Sequence, residues 1–123
     1  MFWTYLFAIG SLMVALATGL GAFGAHGLKD KLEPSQLVTF ETACRYLMYQ
    51  ALGVLAVSLI LARLDGMVLK SASIGLIIGA LLFSGSLFAM IFLDMKQLGW
   101  LTPVGGLFII VSWITIAGAV LFN

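Results

Sequence analysis

Val68-Leu-Lys-Ser-Ala-Ser-Ile-Gly-Leu-Ile-Ile-Gly-Ala-Leu-Leu-Phe-Ser-Gly-Ser-Leu-Phe-Ala-Met-Ile-Phe-Leu93 is an apolar run whose one charge, Lys70, lies near its start. About 20 such residues in a helix cross a hydrocarbon core ~30 Å thick. The run therefore reads as a membrane span. Three comparable runs lie at about 3–25, 43–62 and 101–122, with short polar breaks between them. Lipid leaves no backbone polar group a partner outside its own segment, so each run is expected to be a helix. The sequence predicts an all-α, polytopic membrane protein with a single domain over 1–123. It is a four-transmembrane-helix bundle, with a short interfacial helical segment after the first span.

Composition supports that class. With 63% hydrophobic and 9% charged residues and a mean hydropathy of +1.18, the chain lacks the polar surface to coat a soluble globule. A length of 123 residues leaves no room for a separate extramembrane domain. Net charge is +1 with no basic stripe, so nucleic acid is not an expected partner; the lipid bilayer is. Cys44 is the only cysteine, which rules out an internal disulfide and fits a small packing residue. Ala15-Leu-Ala17 resembles a signal cleavage site. No Lys or Arg precedes the run, however, so a retained first span is expected.

Small residues and breaks mark where helices should meet. Gly19, Gly21, Gly24 and Gly27 crowd the end of the first span, and Gly21 and Gly24 are candidates for close packing. Ser71, Gly75 and Gly79 form one stripe on the third span, and Gly85 sits between two serines. Whether that stripe joins helices within a chain or between chains is open. Asp30, Glu33 and Pro34 signal a helix start, and Pro34 to Arg63 would measure about 45 Å, with the membrane part beginning near Ala43. Glu41 and Arg45, spaced i,i+4, are expected to form a local ion pair. Thr102-Pro103 opens the fourth span, with Thr as cap. Lys29, Lys31, Arg45 and Lys96 lie on the side of the first and third loops, against Arg63 and Lys70 beside the termini, which favours termini outside.

Few residues can carry chemistry. His26 is the only histidine, and with no second His and no Cys pair, neither a metal nor a cofactor is expected. Its bland reading is an interfacial imidazole bonded to a carbonyl freed by the glycine-rich helix end. Thr42, Tyr46, Gln50 and Gly53 recur at helical spacing on the second span and must face protein. Ser84 and Ser86 give the third span a polar notch, although serines in apolar helices ordinarily bond the preceding turn or the next helix. No Ser-His-Asp arrangement can be drawn. Trp3, Tyr5 and Trp100 read as interfacial anchors. The candidate ligand-binding set is His26, Tyr46, Gln50, Ser84, Ser86 and Thr102.

Gly21-Ala-Phe-Gly-Ala-His-Gly-Leu-Lys29, Phe40-Glu-Thr-Ala43 with Tyr46, Leu82-Phe-Ser-Gly-Ser-Leu87, and Leu101-Thr-Pro-Val-Gly-Gly106 with Trp113 follow in this order along nearly the whole chain. Together they resemble the YgdD-like small membrane proteins, the family of domain of unknown function 423, to which TMEM-type small mitochondrial proteins are related. The resemblance implies a four-helix integral membrane protein, usually of the bacterial inner membrane, without an established activity. Gln50 stands where that pattern usually has a second histidine, and Phe88 where it has tyrosine. A histidine-pair relay or metal site is therefore in doubt here.

Two functional readings follow. One is a non-enzymatic structural or interaction component that associates with itself or another membrane protein through the Ser71, Gly75, Gly79 stripe. The other is an oligomeric permeation protein, or a lipid or small-ligand binder, using a polar notch near His26 and Gln50. Convergence of those polar side chains in space separates the two. Catalysis is not expected, because general acid-base chemistry needs positioned titrating groups.

Overall fold

The computed structural model describes all residues 1–123. Four helices, α1 (Phe2–Gly27), α2 (Pro34–Leu61), α3 (Met67–Phe92) and α4 (Leu101–Leu121), account for most of the chain. Each is long and apolar enough to cross a membrane, α4 together with the 3₁₀ turn Lys96–Trp100 that leads into it. There are no strands.

The breaks are built differently from the sequence expectation in three places. Lys31 and Leu32 both donate to the Leu28 carbonyl, winding residues 28–32 into a tight turn, so the cap of α2 falls on Glu33 rather than Asp30. The Glu33 backbone N–H donates to Gln36 Oε1 at 3.0 Å, and Pro34 occupies the first helical position, where a missing N–H costs nothing. From there α2 runs unbroken for about 42 Å, so the interfacial segment is its own first turns. Second, Glu41 and Arg45 form no ion pair. Both are exposed, where holding two long side chains together gains little. The one ion pair joins Lys70 Nζ to Asp65 at 2.9 Å in the α2–α3 loop region. Third, Thr102 does not cap α4, because its hydroxyl bonds across to Ser86. At the end of α3, Asp94 takes a left-handed conformation (φ 51°) that its short polar side chain tolerates, and the chain turns back.

Each helix packs on the next in sequence: α1 on α2, α2 on α3, α3 on α4. Short loops make neighbours antiparallel. The backbones of α1 and α4 do not meet. The apolar core runs along the middle pair, with Leu47, Val54 and Val57 of α2 against Leu69 and Leu76 of α3, closed by Met13 and Ile109 from the outer helices. Beyond the first loop, the Phe40 ring is 1% exposed and meets Phe88 and Phe92 edge-on at 5.6 and 6.0 Å.

Glycine decides how closely α3 and α4 approach. A β-carbon on Gly79 would lie 2.9 Å from the Gly105 carbonyl oxygen, and one on Gly105 would lie 2.5 Å from the Phe83 nitrogen. Backbone touches backbone there, and no larger residue fits. The Gly75–Gly79 stripe thus joins helices within one chain. Gly24 serves in the same way beneath the Phe40 ring. Gly85, expected at a contact, faces open space, and Gly21 only grazes the Cys44 β-carbon position at 4.0 Å.

Candidate functional site

The residues singled out for a polar notch are divided among separate helix seams. On the α2/α4 seam, Trp113 Nε1 donates to Gln50 Oε1 at 2.8 Å, and Gly53 leaves the space that the indole ring fills. On the α2/α3 seam, Ser84 Oγ donates to the Ala43 carbonyl oxygen at 2.8 Å, a buried bond that adds a second partner to a helical acceptor. On the α3/α4 seam, the Ser86 and Thr102 hydroxyls share a hydrogen bond, and Ser86 also reaches the Phe83 carbonyl one turn back at 2.9 Å. Bonds of this kind satisfy side chains that lipid would leave bare, and each is worth about 0.6 kcal/mol in membrane bundles.

Of the remaining two candidates, His26 stands apart from these seams and Tyr46 borders the α2/α3 seam from its exposed side. His26 is exposed at the end of α1, and its imidazole makes no hydrogen bond within the protein. Tyr46 is 41% exposed; its ring leans on Phe83 at 5.2 Å and on Tyr49 at 5.5 Å. His26, Tyr46, Gln50, Ser84, Ser86 and Thr102 therefore enclose no common space. Nor does any group of three or more His, Cys, Asp or Glu side chains come together in a way that could hold a metal ion.

The structure places a hollow of ligand size elsewhere. A furrow of about 590 Å³ runs along the outer side of the α3/α4 seam, past Met67, Ser71, Gly75, Phe108, Ser112 and Thr115. A second hollow of about 500 Å³ shares Met67, Val68 and Thr115 with it and ends at Asp65, Gly118 and Asn123. At that mouth the Lys70 ammonium holds the Asp65 carboxyl below its ordinary range by hydrogen bond and charge. Lys70 also lies over the Phe2 ring, 5.7 Å from its centre. Sequence reasoning missed the furrow. Its only trace is a Ser71–Gly75 pair on the third span and Ser112 and Thr115, spaced i,i+3, on the fourth.

Four apolar helices, paired in sequence order and stitched by side-chain hydrogen bonds across their seams, define a small polytopic helical membrane protein. The chain belongs to the family described as "Protein of unknown function (DUF423)", whose model matches residues 20–106. It is 40% identical over 112 residues to the UPF0382 membrane protein YwdK of Bacillus subtilis, covering 90% of this chain and 91% of that protein. A UPF0382 membrane protein of Haemophilus influenzae is 41% identical over 98 residues, 80% of this chain and 78% of that one. The relationship extends to a yeast: the UPF0382 membrane protein C1782.12c of Schizosaccharomyces pombe is 38% identical over 115 residues, covering 87% and 93%. No solved structure matches the chain.

Proposed function

We propose that the protein is a non-catalytic structural component of its membrane that works through what docks on its exterior, either further copies or another membrane protein. One observation carries this reading: the polar side chains that would line a path or a reaction site are already used, on three different seams, to hold the helices together. A permeation pathway through one chain would need them released and turned to a common axis. A pathway between chains would need polar outer faces, whereas the exposed faces of α3 and α4 carry Ile74, Ile78, Ile110 and Ile114. The location proposed is the bacterial inner membrane, multi-pass, with termini outside.

Native mass spectrometry of protein released gently from its own membrane tests this reading. A defined oligomer, or a stoichiometric protein partner captured by cross-linking before release, supports it. Turnover of a substrate by the purified protein, abolished by His26→Ala, would overturn it.

A further inference from the structure

Every buried hydroxyl or amide side chain but one has a partner inside the protein. Ser58 and Ser73 donate to carbonyls one turn back, Ser84 reaches Ala43, Ser86 bonds Phe83 and Thr102, and Gln50 accepts from Trp113. Ser112 is 6% exposed, and its Oγ, which makes no hydrogen bond within the protein, is the part left open to the furrow. Its Oγ stands over Gly75, where a β-carbon would come within 2.7 Å of it, in the wall of the α3/α4 furrow. The same wall carries Ser71, one turn along α3, whose hydroxyl is also free. Lipid supplies no water to satisfy such groups. A free, nearly buried hydroxyl in an apolar hollow of ligand size points to an occupant that brings an acceptor.

Depth narrows its chemistry. Ser112 lies about 14 Å along α4 from Leu121, close to half of a ~30 Å hydrocarbon core. Phospholipid ester groups and fatty-acid carboxylates stay at the boundary and do not reach it. A second copy is poorly matched, since the partner's own Ser112 would be recessed in an identical hollow and out of reach. An uncharged, flat ring bearing carbonyl oxygens meets each condition. Gly75 and Ala72 leave it a floor without long side chains, and Phe108 and Leu107 border the inner end, where an apolar tail would leave.

We infer that the α3/α4 furrow binds a membrane quinone, one ring carbonyl accepting a hydrogen bond from Ser112 Oγ. This goes beyond the structural role proposed above and does not depend on it. The test uses full-length protein in phosphatidylcholine nanodiscs, with Trp3→Phe and Trp100→Phe so that only Trp113, beside Ser112, reports. Decylubiquinone should quench that fluorescence saturably. Ser112→Ala should weaken the midpoint about fivefold, the size of one neutral hydrogen bond. Ser71→Phe, at an exposed position that fills the furrow from outside, should leave only linear, collisional quenching, and unchanged thermal unfolding of both variants confirms that they fold. An unchanged midpoint in Ser112→Ala, or the same curve in Ser71→Phe, overturns the inference. So does equal competition by decylbenzene, which has the tail but no carbonyl.

Discussion

Removing the indole donor by Trp113→Phe tests whether the seam bonds hold the bundle together. Gln50 is 8% exposed and accepts from Trp113 across the α2/α4 seam at 2.8 Å. Phenylalanine keeps an aromatic ring in the space above Gly53 but leaves the amide oxygen without that donor. A buried acceptor stripped of its partner costs about 1–3 kcal/mol in water-soluble proteins. Membrane bundles average ~0.6 and reach ~1.7 kcal/mol, because the unfolded reference state finds other partners. We therefore expect Trp113→Phe to cost about 1.5 kcal/mol, including the smaller ring, and Gln50→Leu about 1 kcal/mol. The double variant should lose less than the sum, with a coupling of about 0.6–1.7 kcal/mol. Reversible unfolding in mixed dodecylmaltoside–SDS micelles, followed by far-ultraviolet circular dichroism, measures all four corners of the cycle. A strictly additive cycle would show that the bond contributes nothing and that only ring packing matters at this seam.

Two glycine substitutions should behave in opposite ways. Gly105→Val, which drives a side chain into the α3 backbone, should cost more than 3 kcal/mol, a rough figure for overpacking with no side chain to yield, and should reduce the yield of monodisperse protein. Gly85→Ala, with nothing within 4 Å of the added carbon, should raise the SDS midpoint by the equivalent of about 0.5–1 kcal/mol. Phe40→Ala should cost about 3 kcal/mol and free the ends of α1 and α3, read as faster amide exchange confined to that end of the bundle. Asp65 is held below its ordinary range by Lys70, so its contribution is present above the unfolded-state value and is lost as pH falls through the depressed one. The SDS midpoint of the wild type should drop on acidification over that window, and Asp65→Asn should remove that part of the dependence.

The spans were legible because hydrophobicity alone sets them, and so was the helix-start signal at Pro34. Pairings were less so. Glu41 and Arg45 have favourable spacing, yet both point outward, and spacing says nothing of that direction. Gln50 and Ser84 were readable as polar residues that must face protein, but not which helix each would face, because that depends on how α2 is rotated between three neighbours. His26 is distinctive as the only histidine, yet it lies exposed, outside every seam. Ser112 drew no attention, since a single serine in a long apolar run is ordinary until its lack of a partner is visible. The glycine stripe on α3 was recognised as a contact, and only the position of Gly105 opposite Gly79 shows that the contact lies inside the chain.

Because each helix lies against its predecessor and the backbones of α1 and α4 do not meet, assembly can begin during synthesis. Each helix after the first finds a neighbour already in the membrane, but α3 makes its most extensive pairing only with α4, and Gln50 gains its Trp113 donor only when that last helix is in place. The same order makes α1 the most separable part. Its backbone lies along α2 alone, with Phe2 beneath Lys70 as a further contact, whereas the α2–α3–α4 seams are also tied by the Gln50–Trp113 bond and the Gly79–Gly105 crossing.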